Sequence, residues 1–194
     1  LLSNVAAAAG SSGSPTRKCG GLPTWISTNV DAGAGGSGSG GGAIRTDGTQ
    51  RVFTETLLKS ALRTTWDNGG NPNMIMLNAF NKQKLSGFTG GATRFDKAED
   101  RRLVTSIDVY ESDFGTMQVV PNRFIRKTNA TAAKRGQDVY LLDMDFFAVA
   151  FLRDFQLKSP GMSSDADQRF LVAEYTLESR NEQSSGMVTD VTTS

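Results

Sequence analysis

Several residue groups in this chain have types and spacings that could do chemistry, and each lacks a companion its chemistry requires. Asp143 and Asp145 in "LLDMDF" could hold a hard cation between two carboxylates. A calcium loop needs further oxygen ligands and a glycine at a set position, and neither follows, so the pair reads as turn-capping aspartates. Cys19 in "RKCGG" has Arg17 and Lys18 beside it but no second cysteine for an internal disulfide. The chain contains no histidine. That removes the usual general base, the Ser-His-Asp and Cys-His arrangements, and imidazole metal sites. Gly33, Gly35 and Gly38 match G-x-G-x-x-G, but a dinucleotide site needs a buried strand before them and a helix opening at the third glycine. Neither is present. Asn129-Ala130-Thr131 matches a glycosylation sequon with no secretion signal to give it meaning. The reading of these groups is no catalytic, cofactor or metal site.

The elements that would position any such residues belong to a chain of 194 residues, enough for one ordinary domain or two small ones. Hydrophobic content of 38% is low, diluted by 21 glycines. A net charge of +1 points to neither nucleic acid nor membrane. The single cysteine fits a reducing compartment or an inert thiol. No run approaches the roughly 18 apolar residues of a membrane helix, and "LLSNVAAAAG" lacks the basic start of a signal peptide. A first residue of Leu rather than Met reads as a piece of a longer product.

Residues 1–9, rich in Leu and Ala, read as the tail of a helix ending at Gly10. A short ordered patch surrounds Trp25, and "DAGAGGSGSGGG" over 31–42 reads as a flexible connector. The clearest helix spans 53–70. Thr54 is its N-cap, Phe53 and Leu58 form a hydrophobic staple, and Leu58, Leu62 and Trp66 make an apolar stripe beside Leu57 and Ala61. Gly69 and Gly70 end it. "NMIML" (73–77) reads as a buried strand, and Asn78 caps a short helix that turns Phe80 and Leu85 to the core. From Leu103 the period changes to two. "LVTSIDVYES" and "TMQVVPN" flank a hairpin connection with Gly115 at the turn. A strand at "DVYLL", a turn at Asp143, a second run from Phe147 and another turn over 159–168 lead to the terminal strand. The fold class is α+β, helices early and antiparallel hairpins late.

The terminal stretch "VAEYTLESRNEQSSGMVTD" ends on an alternating strand without a closing helix, as if the rest of its sheet came from elsewhere. Its Glu174, Glu178, Arg180 and Glu182 offer both signs of charge for setting register against a neighbour. Residues 121–136 hold Arg123, Arg126, Lys127, Lys134 and Arg135 with no acid. That stretch reads as a solvated basic loop, or as a contact for an acidic neighbour or packaged phosphate.

Four segments in order, "WISTNVDAGAGG", "WDNGGNPNMIMLNAFNKQKLSGFTG", "VYESDFGTMQVVPNRF" and "FLVAEYTLESRNEQSSG", resemble the C-terminal part of the major head (capsid) protein family of tailed bacteriophages. The resemblance runs over essentially the whole chain. It implies the Hong Kong 97-type capsid fold, with an axial domain, part of the peripheral domain, and no N-terminal arm or extended loop. On that pattern 1–30 is the tail of the spine helix and an ordered patch, 31–51 a connector, 52–147 the axial domain, and 148–194 the return hairpin and terminal strand. The 126–138 stretch departs from it in length. The resemblance implies a structural subunit assembling with itself into pentamers and hexamers of an icosahedral head. Its expected partners are portal, scaffold or decoration proteins, with packaged double-stranded DNA nearby and no membrane. The virion is its expected location, after assembly in the host cytoplasm. Trp25, Arg123, Arg126, Lys127, Glu174, Glu178, Arg180 and Glu182 are the candidate inter-subunit contacts. The alternatives are an encapsulin-like shell around a protein cargo and a receptor- or carbohydrate-binding β-module; an enzyme lacks the residues.

Overall fold

The computed structural model describes residues 2, 5–11, 17–88, 109–125, 138–159 and 169–192. Among the described residues, eight strands and two α-helices form a six-stranded mixed sheet with helices on one face, and a separate two-stranded ribbon. The sheet contains β1 (Val30–Asp31), β2 (Met74–Leu77), β3 (Val109–Ser112), β4 (Gly115–Pro121), β5 (Val139–Leu142) and β8 (Gly186–Val188). Their order is β1-β8-β5-β2-β4-β3, with β1–β8 and β2–β4 parallel and the other neighbours antiparallel. The first expected segment thus contributes β1 to the same sheet as β2 and β5, and the last supplies β7 (Phe170–Ser179) of the ribbon and leads into β8 at Gly186.

Period-two alternation in the central strands sorts side chains into two cores. Ile75, Leu77, Val139, Leu141 and Val188 face the helices α1 (Glu55–Asp67) and α2 (Ala79–Ser86), meeting Leu58, Leu62 and Leu85. Tyr140, Leu142 and Met187 face the other way, toward Leu22 and Ile26. Burial on both faces explains why all four residues of β5 are out of water.

Thr54 caps α1 as expected, its Oγ1 accepting the Leu57 N–H at 3.4 Å, and Phe53 and Leu58 are buried in one cluster. Asn78 caps α2, accepting the Asn81 N–H at 2.7 Å. Trp66 leaves the expected stripe and is half-exposed beside Phe114, at 5.7 Å between ring centroids. At 100° per residue it has drifted about 80° from Leu58, whereas Thr65 falls back on the buried face. The 109–121 hairpin forms with Gly115 at its turn; 103–108 lie outside the described residues. Asp143 accepts the Asp145 N–H at 3.3 Å and caps a 3-10 turn, the role expected of the aspartate pair.

Two expectations for the N-terminal third are corrected. Among the described residues of 1–9 there is no helix: Ala8 and Lys18 exchange two backbone hydrogen bonds at 3.0 Å, and Ala7 donates to Gly42 O at 2.8 Å. Good helix formers in so short a run do not offset helix nucleation when a partner strand is available. The glycine-rich stretch is no loose connector either. Ser37 pairs with Thr46, and Thr49 donates to Ala34 O at 2.9 Å. Gly33 and Gly48 lie so close that a Cβ on Gly33 would sit 2.1 Å from Thr49 O. Its glycines serve close backbone approach rather than looseness.

Candidate assembly surface and a buried charge cluster

The ribbon is β6 (Phe147–Lys158) paired antiparallel with β7 (Phe170–Ser179), so the terminal strand finds its partner within the chain. Among the described residues neither strand is hydrogen-bonded to a third. Register breaks on either side of Arg153 twist the pair and bring Phe151 near both Phe155 and Tyr175, at 6.1 and 5.9 Å between centroids. The alternation of the terminal strand holds in the pairing, with Val149 and Phe151 opposite Leu177 and Tyr175 on one side and Arg153 and Ala148 opposite Glu174 and Glu178 on the other, but the apolar residues lie uncovered. Leu152 and Leu171 are 73% and 65% exposed, and Val149, Phe151, Phe155, Leu157, Phe170 and Tyr175 are exposed too. A two-stranded ribbon is at best marginally stable alone, and contiguous exposed apolar surface of this kind marks an interaction face.

The candidate contact residues are not gathered into one surface. Glu174 takes Arg153 across the ribbon, Nε to Oε2 at 2.9 Å with a second bond from Nη2, and Arg17 lies 3.8 Å away. The hydrogen bond from Arg153 holds the Glu174 carboxyl below its usual range. Glu178 pairs with Arg180 at 3.0 Å. Arg123 is exposed after β4, and Arg126 and Lys127 lie outside the described residues. Trp25 is partly buried, its ring against the sites of Gly20 and Gly42.

Glu182 is turned inward. Its carboxylate accepts the Ser27 N–H at 3.0 Å, the Thr28 N–H at 3.1 Å, the Ser27 hydroxyl at 3.1 Å and the Thr28 hydroxyl. Burial alone would push this carboxyl up, but the hydrogen bonds from Thr28 and Ser27 outweigh it and hold it below its usual range. Asn29 adds bonds to Gln183 O and Ser185 O, so the chain leaving the ribbon is tied to the start of β1. Glu182→Gln is expected to lower stability by about 1 kcal/mol near neutral pH, a figure reduced by solvent screening. A group with a depressed folded pKa stabilises above its unfolded pKa and loses that effect as pH falls through the folded value. Urea denaturation of both proteins should therefore differ at pH 7 and converge as the pH falls through the depressed value of the folded carboxyl. Equal midpoints at pH 7 would show that the carboxylate charge contributes nothing.

One group escaped the sequence reading. Arg45, its side chain 1% exposed, reaches Asp138 with Nη2 at 2.7 Å. Its Nη1 lies 3.0 Å from Asp47 and 3.4 Å from Asp190. Asp190 also accepts the Gly33 N–H at 3.1 Å and the Thr189 hydroxyl at 3.0 Å, and its φ of 58° is left-handed. Tyr140 donates to Asp138 Oδ2 at 3.1 Å. Burial pushes the Asp138 carboxyl up to about 7 against the pull of Arg45 and Tyr140, while the aspartates outweigh burial and raise Arg45. The only sign of this in the sequence is one arginine following a glycine run; partners 93 and 145 residues away leave no local trace.

Among the described residues, no group of acidic or thiol side chains is arranged to hold a metal, and no helix is long and apolar enough to cross a membrane. No curated protein matches the chain. A family model described as SU10 major capsid protein matches residues 1–192. With nearly its full length covered, the chain belongs to the SU10 major capsid protein family and is a structural subunit of a phage capsid.

Proposed function

We propose that this subunit builds the icosahedral head of a tailed double-stranded DNA phage, assembling with itself into pentamers and hexamers on a Hong Kong 97-type fold. The family match over residues 1–192 carries this reading, and the exposed apolar ribbon supports it as surface that assembly would cover. Residues 52–147 serve as the axial domain and 148–194 as the return into the peripheral domain, with 31–51 joining them to 1–30. Portal, scaffold or decoration proteins are its further partners, and assembly takes place in the host cytoplasm. Trp25, Arg123, Arg126, Lys127, Glu174, Glu178 and Arg180 act as rim contacts that set register rather than affinity. Glu182 acts inside the subunit.

Negative-stain electron microscopy of the purified protein tests this directly. Closed shells or flat hexameric rings are expected; monomers at high concentration, with or without co-expressed scaffold, would sink the reading. Leu152→Asp combined with Leu171→Asp should reduce the assembled fraction at least about tenfold, equivalent to ~1.4 kcal/mol. The six-stranded body contributes neither residue and should melt unchanged. Undiminished assembly by that variant would remove the ribbon from the explanation.

A further inference from the structure

Among the described residues, the Arg45 cluster sets three carboxylates around one guanidinium. The side chains of Asp138 and Asp190 are 2% and 0% exposed, and both depend on the same guanidinium. Asp47, 27% exposed, keeps contact with water. Two dry carboxylates on one arginine leave a unit of negative charge out of solvent, and a buried group in that position neutralises rather than remain ionised. The donors decide which one. Asp190 accepts from Gly33, Thr189 and Arg45, whereas Asp138 accepts from Arg45 and Tyr140. The less supported carboxylate, Asp138, takes the proton.

Three stretches of chain meet here. Arg45 and Asp47 come from the glycine-rich loop, Asp138 and Tyr140 from the start of β5, and Asp190 from just beyond β8. Among the described residues, Arg45, Asp47, Tyr140 and Asp190 are the charged and titratable groups that act on Asp138. We propose that the cluster is a proton-operated lock: protonated Asp138 lets Arg45 hold the 33–47 loop against the sheet, and ionisation of Asp138 loosens that loop.

The sign of the effect follows from linkage. With the folded carboxyl at about 7 and an unfolded value near 3.8, the folded state holds an extra proton between those limits. Stability therefore falls as pH rises through that window and levels off above it. The chain has no histidine, so between pH 5 and 7.5 no side-chain type present has its ordinary pKa to confuse the measurement.

Urea unfolding of the whole protein from pH 5 to 7.5, with wild type and Asp138→Asn in parallel, reads the proton. The wild-type unfolding constant should rise up to about tenfold per pH unit below pH 7. That of Asp138→Asn, which mimics the protonated form, should rise much less. Trypsin cleavage after Arg45, compared between the two proteins at each pH so that the protease's own profile cancels, reads the loop. The ratio of wild-type to variant cleavage should grow from pH 6 to 7.5. A flat wild-type unfolding profile overturns the proposal even if the variant fails to fold. Parallel slopes in the two proteins, or a constant cleavage ratio, overturn it as well.

Discussion

Arg45→Ala is expected to lower the unfolding free energy by about 3–5 kcal/mol, the largest loss from any single charge among the described residues. The cost comes less from the lost attraction than from what remains. Asp190 stays buried while its cation is gone, and Asp138, which carries a proton below about pH 7, becomes a second uncompensated carboxylate as pH rises through that value. Arg45→Lys should recover only part of the loss, because an ammonium cannot meet Asp138 through one nitrogen and Asp47 and Asp190 through another, as the guanidinium does. Chemical denaturation at pH 6 and 8 checks both variants. The Arg45→Ala deficit should be larger at pH 8, where the carboxylates resist protonation. A loss below about 1 kcal/mol would place this cluster among exposed ion pairs in its energetic weight.

The second large effect concerns a glycine. Gly33→Ala should destabilise by about 3 kcal/mol, because the added Cβ would meet a backbone carbonyl oxygen 2.1 Å away, and backbone cannot swing aside as a side chain can. The same residue donates its N–H to Asp190, so a shift to relieve the clash also disturbs the Arg45 cluster. Gly41→Ala makes a useful contrast. A Cβ there meets nothing within 4 Å, and only the left-handed φ of 59° opposes it, at about 1 kcal/mol. If 31–42 were the flexible connector its composition indicates, both substitutions would be neutral or slightly stabilising through the unfolded state. Urea midpoints of the two variants distinguish these cases, since only an ordered loop makes the first much worse than the second.

What the sequence determined by itself is local or periodic. Thr54 and Asn78 mark helix starts because capping acts over three residues, and the Asp143 turn shows itself in the same way. Strands β2, β4, β5 and β6 are legible because alternation and apolar runs need no knowledge of the partner strand. The order of four motifs was enough to indicate a capsid family, since it accumulates along the whole length. Tertiary structure decided the rest. Whether Ala8 sits in a helix or on a bridge depended on Lys18, and whether the glycines were loose depended on Thr49 and Asp190. Glu182 looked like an outward charge until Ser27 and Thr28, some 155 residues earlier, supplied its donors. Arg45 was invisible for the same reason. A buried ion cluster is defined by charges meeting in a dry place, and neither the meeting nor the dryness has a period that a linear sequence can display.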